Sequence, residues 1–170
     1  MKEFEAALVS EGKSERIPEE FNFFGKVIGE WDLDWNDHLN TPTPRRVKGE
    51  WIFSWVLDGM AVQDVFIVPS RTERLIDIQP DAAYGTTLRL FNQEKCLWEI
   101  FYGCPEECAR LEAQKEGDEI VLTEITSQSM KWIFSDITDN SFTWRSTAIN
   151  EDGEWITLAK VFATRKKNKT

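Results

Sequence analysis

The chain is built from short runs of alternating apolar and polar residues, with turn residues about every twelve positions. In the first run, Trp31, Leu33 and Trp35 alternate with Asp32 and Asp34. Successive side chains of a β-strand point to opposite faces of a sheet, so this alternation predicts strands with one buried and one solvated face. Evenly spaced short strands joined by tight turns bury such faces as a closed barrel or a two-sheet sandwich.

Turn signals divide the chain after position 29 into about ten strands. Asp58-Gly59 is a strong hairpin signal, and Pro80-Asp81 indicates another turn. The candidate strands cover residues 31–35, 51–57, 60–68, 73–79, 84–91, 96–102, 107–115, 119–126, 129–137, 141–149 and 154–164. Consecutive hairpins imply a meander, and closing it removes exposed strand edges. We therefore predict an all-β fold, an antiparallel up-and-down β-barrel of about ten strands, with the sandwich as the alternative.

The segment before the strands has a different period. Pro18 can occupy the first turn of a helix, Phe21, Phe24 and Ile28 would share one helical face, and Gly29 would end the helix. Residues before Pro18 are expected to be irregular or weakly helical. The predicted organisation is a lead-in with a short helix, a barrel and a basic tail, at residues 1–28, 29–165 and 166–170.

Composition narrows the classes of partner. Thirty acidic and twenty basic residues give a net charge of −10, which repels phosphate backbones and anionic lipid surfaces. Nucleic acid and membranes are therefore not expected as partners. Eight tryptophans and eleven phenylalanines suit either a thick core or the wall of an apolar cavity.

The same sequence favours the cytoplasm. No stretch approaches the roughly 18 apolar residues of a membrane span. The N-terminus carries early acidic residues and does not resemble a secretory signal. Three cysteines, an odd number, fit a reducing compartment.

The Gly29-Glu30-Trp31 motif, which follows the predicted helix and opens the first strand, resembles the start of lipocalin and calycin barrels. In that group a basic residue at the end of the last strand packs over the tryptophan. The resemblance implies that Arg165 stacks on Trp31 and closes one end of the barrel.

Three further motifs are similar to a family of small bacterial lipocalin-like domains. They are a G-T-x-x-R-x-F strand, a Trp strand and a Gly-Glu-Trp hairpin, at residues 85–91, 96–98 and 153–155. The resemblance implies a barrel that holds a small ligand. It does not extend to the secreted carriers, because Thr138-Asp139-Asn140 only echoes their T-D-Y loop.

Neither metal nor cofactor chemistry is indicated. His38 is the one histidine and falls in a predicted loop, so the axial ligand of a haem-binding barrel is not expected. Cys96, Cys104 and Cys108 lack the paired CxxC spacing of a zinc site. Gly-rich phosphate loops, nucleophile elbows and HExxH helices are missing from the sequence.

The polar residues inside apolar strands are the candidates for chemistry. Gln63 and Asp64 are adjacent, so one of them faces the interior of a regular strand. Arg89 alternates with leucines; if it faces inward it needs Asp64, Glu99 or an anionic ligand as a partner. The alternative is that these charges face outward.

The aromatic residues are open to two interpretations, core packing or a ligand pocket. Tyr102 adds a hydroxyl to this set. The candidate ligand-binding residues are Trp51, Trp55, Gln63, Asp64, Arg89, Trp98, Tyr102, Trp132 and Trp144.

These observations lead to three functional hypotheses. The first is binding of a small, largely hydrophobic molecule in the barrel, oriented by groups such as Arg89 and Gln63, with a carboxylate on the ligand as one option. The second is an isomerase, cyclase or lyase that uses Asp64 or Glu99 as acid or base. The third is a non-catalytic interaction protein, a homodimer with a filled barrel and an exposed aromatic patch.

Overall fold

The structure, a computed structural model, describes residues 2–79 and 82–167. The predicted turn at Pro80-Asp81 and positions 168–170 of the basic tail lie outside the described residues. One α-helix, α1, spans Glu3–Leu8. The strands are β1 Gly29–Asp37, β2 Arg45–Val56, β3 Ala61–Val68, β4 Ala83–Asn92, β5 Leu97–Gly103, β6 Cys108–Glu116, β7 Glu119–Glu124, β8 Met130–Ser135, β9 Ser141–Ile149 and β10 Trp155–Arg165.

The ten strands form one closed antiparallel barrel. Each strand pairs with the next along the chain, and β10 returns to pair with β1. In β1, Trp31 lies opposite Arg165 on one side and Trp51 on the other. The predicted up-and-down barrel with a short N-terminal helix is confirmed, and the sandwich alternative is wrong.

The candidate strand at residues 73–79 is wrong. A 3₁₀ turn at Glu73–Leu75 occupies this position. The amide of Arg74 donates to Ser70 O, and its guanidinium donates to Pro69 O at 3.0 Å and Ala83 O at 3.4 Å. These local hydrogen bonds replace the ladder of a strand, so the β3–β4 connection is a loop.

The predicted helix before the barrel is also misplaced. The α-helix occurs earlier, at Glu3–Leu8, within the lead-in that was expected to be irregular or weakly helical. Two 3₁₀ turns at Glu19–Phe21 and Gly25–Val27 replace the predicted helix. The indole N–H of Trp98 donates to Phe21 O at 2.8 Å, and that of Trp31 donates to Val27 O at 2.7 Å. These carbonyls accept hydrogen bonds from tryptophans of the barrel and not from amides of an α-helix. The contacts with the barrel therefore determine the conformation of this segment, although its apolar residues have helical spacing.

The N-terminal segment closes one end of the barrel, called here the closed end. Val9 forms a β-bridge with Val56, and Ser14 N donates to Gly59 O at 3.0 Å. Gly59 has φ +74°, and a Cβ there would collide with the backbone of Gly12. A residue without a side chain is therefore needed where the segment crosses the β2–β3 turn.

Aromatic side chains pack the closed half of the interior. Phe24, Trp31, Trp98 and Phe134 are fully buried, and Phe24 contacts Trp98 edge to face with centroids 5.1 Å apart. Such contacts exclude water from this half of the barrel. Any ligand must therefore occupy the opposite half.

Candidate ligand-binding cavity

The half of the barrel away from the closed end contains a cavity of about 290 Å³. Its mouth lies near Ala83 at the start of β4, Glu107 in the β5–β6 connection and Met130 at the start of β8. The volume is close to the lower end of the range of small-molecule sites, roughly 300 Å³. The interior is thus not filled by the protein's own side chains.

A continuous series of aromatic rings lines the cavity, and we call it the aromatic belt. Neighbouring rings have centroids 5.2–6.0 Å apart. The belt consists of Tyr102, Trp132, Trp144, Trp35, Phe66 and Trp51. Trp35 and Trp144 are stacked with an interplanar angle of 29°. The belt presents flat apolar surfaces suited to a ring-containing ligand.

A buried ion pair forms the floor of the cavity. Arg89 Nη2 lies 2.7 Å from Asp64 Oδ2, and the two side chains are 1% and 0% exposed. The other carboxylate oxygen, Oδ1, accepts a hydrogen bond from Thr87 N at 3.0 Å. The N–H bonds of Arg89 do not point directly at Oδ2, so the contact is a close ion pair and not a well-aligned hydrogen bond.

Phenyl rings seal the side of Arg89 that faces the closed end. Its guanidinium carbon lies 5.1 Å from the ring centroid of Phe24, 5.2 Å from that of Phe53 and 5.9 Å from that of Phe134. These cation–π contacts stabilise a cation that has lost its water. Among the described residues, none accepts a hydrogen bond from Nε or Nη1 of Arg89.

Uncharged donors complete the polar part of the site. Thr87, Tyr102 and Ser146 are the lining residues that carry hydroxyl groups. Burial, followed by interaction with Cys104, raises the pKa of Tyr102 well above its ordinary value, so the phenol stays protonated. Trp51 Nε1 is buried, and it has no acceptor within the part of the chain that the structure describes.

The predicted site residues fall into two groups. Trp51, Arg89, Tyr102, Trp132 and Trp144 line the cavity, and Asp64 lies behind its floor. Gln63, a predicted ligand-binding residue, does not line the cavity. It lies on the outer face and donates to Thr86 Oγ1 at 3.0 Å. Its neighbour Asp64 takes the inward position because Arg89 supplies the charge that a buried carboxylate requires.

The cavity is also not lined by three other residues that the sequence suggested for the site, Trp55, Trp98 and Glu99. Trp98 is fully buried at the closed end, and Trp55 lies beside the N-terminal segment there. Glu99 is on the outer face and pairs with Lys95 at 3.1 Å. Consecutive residues of β5 face opposite sides, so an inward Trp98 places Glu99 outside.

The cavity is also lined by residues that were not among the predicted site residues, including Trp35, Phe66, Thr87, Met130 and Ser146. A signal was present for three of them. Trp35 shares a face with Trp31 and Leu33, Phe66 lies two residues after Asp64, and Thr87 lies two residues before Arg89. The period of two along a strand places each on the inner face.

The barrel-end pair has its own geometry. The guanidinium carbon of Arg165 lies 4.2 Å from the ring centroid of Trp31, at the closed end and away from the cavity. The pair belongs to the closure of the barrel and does not line the cavity, although Trp31 lies opposite the cavity residue Trp51 in the pairing of β1 with β2.

The remaining candidates lie outside the cavity. His38 is in the β1–β2 loop, 3.7 Å from Asp37 Oδ1. Cys96, Cys104 and Cys108 are free thiols. Within residues 2–79 and 82–167, no group of three or more His, Cys, Asp or Glu side chains is arranged to hold a metal ion. Within the same ranges, no helix is long and apolar enough to cross a membrane.

A second hollow of about 540 Å³ lies between the N-terminal segment and the closed end. More than half of the residues lining it are charged or polar, among them Lys13, Glu19 and Lys115. Ligand sites are usually mainly apolar with a few placed polar groups. The smaller aromatic cavity fits that description better, although the hollow is larger.

Comparison with known proteins supports the architecture. No protein-family model matches the chain, and no curated protein matches it. The structure is similar to that of an S-type phycobiliprotein lyase from Guillardia theta, with a TM-score of 0.55 and 12% sequence identity over 86% of this chain and 92% of that chain. At this identity the likeness concerns the barrel fold alone.

Proposed function

We propose that this protein binds a small, largely aromatic molecule in the barrel cavity. The observation that carries the proposal is an open cavity with an aromatic belt above a polar floor. Flat apolar walls would supply affinity, and the hydroxyl groups of Thr87 and Tyr102 would orient the ligand. The buried and unpartnered Trp51 N–H supports this, because buried donors in proteins are usually satisfied.

The second candidate function is a lyase or isomerase that positions a reactive ligand. It is favoured by the inward position of Asp64 and by the structural neighbour, which is itself named a lyase. Binding without catalysis is better supported. Asp64 Oδ2 forms the ion pair with Arg89, and Oδ1 accepts a hydrogen bond from Thr87 N. Glu99 lies on the outer face and pairs with Lys95. Neither carboxylate is therefore placed as an acid or base in the cavity.

The proposal also includes a cellular location, the cytoplasm, and an assembly, a homodimer. The cytoplasm is favoured by three cysteines that are all free thiols. A homodimer is the proposed assembly, since Phe162 on the outer face of β10 is 54% exposed.

Intrinsic tryptophan fluorescence tests the proposed function. A titration would use flavone, decanoate and a linear tetrapyrrole, the last because the structural neighbour is a phycobiliprotein lyase. We expect at least one ring-containing probe to quench or shift the emission with a saturable curve at micromolar concentration. Unchanged emission with every probe up to millimolar concentration would remove the proposal.

Matched tryptophan variants locate the binding. Trp132→Ala removes part of the aromatic belt and should weaken the best probe about tenfold or more. Trp155→Ala, on the outer face against Lys131, should bind that probe as the unchanged protein does. Equal losses in the two variants would place the probe somewhere other than the cavity.

A further inference from the structure

The charge of the cavity floor is already balanced within the protein. Of the described residues that line the cavity, only Arg89 and Glu107 are charged, and Asp64 lies directly against Arg89 at 2.7 Å. The positive charge of Arg89 is therefore neutralised by a carboxylate that is equally buried. Glu107, at the mouth, adds a further negative charge.

A carboxylate on the ligand would be poorly accommodated by this arrangement. It would leave water for a site of low polarity, where Asp64 repels it while Arg89 attracts it. Burying an ion costs several times more than burying a neutral acceptor unless an unshared countercharge is present. The net charge of −10 adds to the penalty at long range.

A neutral acceptor meets the opposite situation. The uncharged donors of the site are the hydroxyl groups of Thr87, Tyr102 and Ser146 and the unpartnered N–H of Trp51. A carbonyl oxygen accepts such hydrogen bonds without bringing a charge into the cavity. The ring system that carries it would contact the aromatic belt.

We infer that the ligand of this cavity is an uncharged aromatic compound that presents a carbonyl-type acceptor to the floor, and that Asp64 excludes carboxylates from the site. This inference rests on the proposed function and names the chemical class of its ligand. It replaces the option of an anionic ligand that the sequence left open. Asp64 is then a specificity-determining residue that acts through Arg89.

The test compares two ligands of nearly equal shape, 2-naphthamide and 2-naphthoate, at neutral pH by tryptophan fluorescence and calorimetry. In the unchanged protein the dissociation constant of the amide should be at least tenfold lower. In Asp64→Asn the Arg89 charge is no longer shared, and the preference should reverse in favour of the carboxylate. Asp118→Asn changes the net charge equally in the exposed β6–β7 turn and should keep the original order.

Each outcome separates the two proposals. Binding of naphthoate as tightly as naphthamide to the unchanged protein would overturn the inference and leave ligand binding intact. Failure of both compounds at millimolar concentration, while flavone or another probe of the first titration binds, would also overturn the inference alone. Failure of these two compounds and of every earlier probe would overturn ligand binding itself. If Asp64→Asn does not fold, the comparison in the unchanged protein still decides the inference.

Discussion

The guanidinium carbon of Arg165 lies 4.2 Å from the ring centroid of Trp31, and the two residues also face each other in the pairing of β10 with β1. The same guanidinium donates to Ile28 O at 2.7 Å, Lys26 O at 2.8 Å and Asp139 O at 2.5 Å. One side chain therefore joins the last strand, the first strand and the segment before it. The resemblance to calycin barrels implied that Arg165 stacks on Trp31. In this structure the same guanidinium also donates three hydrogen bonds to backbone carbonyls.

Arg165→Ala should lower the free energy of unfolding by about 2–3 kcal/mol, because it removes a cation–π contact and three charge-assisted hydrogen bonds. Urea denaturation followed by tryptophan fluorescence measures the loss. Arg165→Lys keeps the charge but not the planar fork of donors, so it should recover less than half of the stability. Full recovery in the lysine variant would show that charge alone matters.

Glu50 predicts an acid-sensitive component of stability. Hydrogen bonds from Arg71, followed by those from Lys166, lower the pKa of Glu50 to about 2. A carboxyl group with a depressed pKa stabilises the fold above its ordinary value of 4.5, and this stabilisation is lost as the pH falls toward 2. Because Arg71 is half exposed, we expect about 1–2 kcal/mol.

Glu50→Gln should accordingly be less stable than the unchanged protein at pH 7, and the difference should shrink as the pH falls from 4.5 to 2. Urea midpoints at several pH values give this comparison. Asp118→Asn, in an exposed turn, is the control and should show no such convergence. A difference that stays constant with pH would contradict the assignment.

The Asp64–Arg89 ion pair predicts strong coupling between two substitutions. Arg89→Met leaves the Asp64 carboxylate buried and unpaired, which should cost about 3–5 kcal/mol. The double variant Asp64→Asn with Arg89→Met removes both charges and should recover at least half of that loss. Urea denaturation of the single and double variants completes a thermodynamic cycle. Additive losses would mean that the two charges do not interact as their distance indicates.

Tyr102 predicts how ligand affinity depends on alkaline pH. Burial raises the pKa of its phenol well above the ordinary value, so the hydroxyl should remain a donor throughout the moderately alkaline range. The dissociation constant of naphthamide should be constant from pH 7 to about 10, where an ordinary tyrosine ionises. Tyr102→Phe should weaken binding about fivefold at every pH. A steep loss of affinity below pH 9 would contradict a buried neutral phenol.

The strands of the barrel were predictable because alternation is a local property of the sequence. The alternation of Trp31, Leu33 and Trp35 with acidic residues is enough to predict a strand with one face toward the interior. The segment around Phe21 and Phe24 was not predictable in the same way. Its helical spacing is real, but the carbonyl of Phe21 binds Trp98, a residue far along the chain, and that tertiary contact outweighs local preference.

The candidate site was recovered in outline. Adjacency shows that either Gln63 or Asp64 faces inward, but only the position of Arg89 on the neighbouring strand decides between them. The alternation of residues also does not show which end of the barrel is packed. Trp55 and Trp51 lie on the same face of β2, so the pattern treats them alike. The N-terminal segment covers Trp55 and leaves Trp51 beside open space.

The pairing of β1 with β10 has a consequence during biosynthesis. Until residues 155–165 have left the ribosome, β1 and β9 each present an unsatisfied row of backbone amides and carbonyls, which favours association with other chains. Contacts that join the beginning and end of a sequence also form slowly. A chain shortened within β10 would therefore remain an open sheet with two exposed edges, and it would associate with other chains.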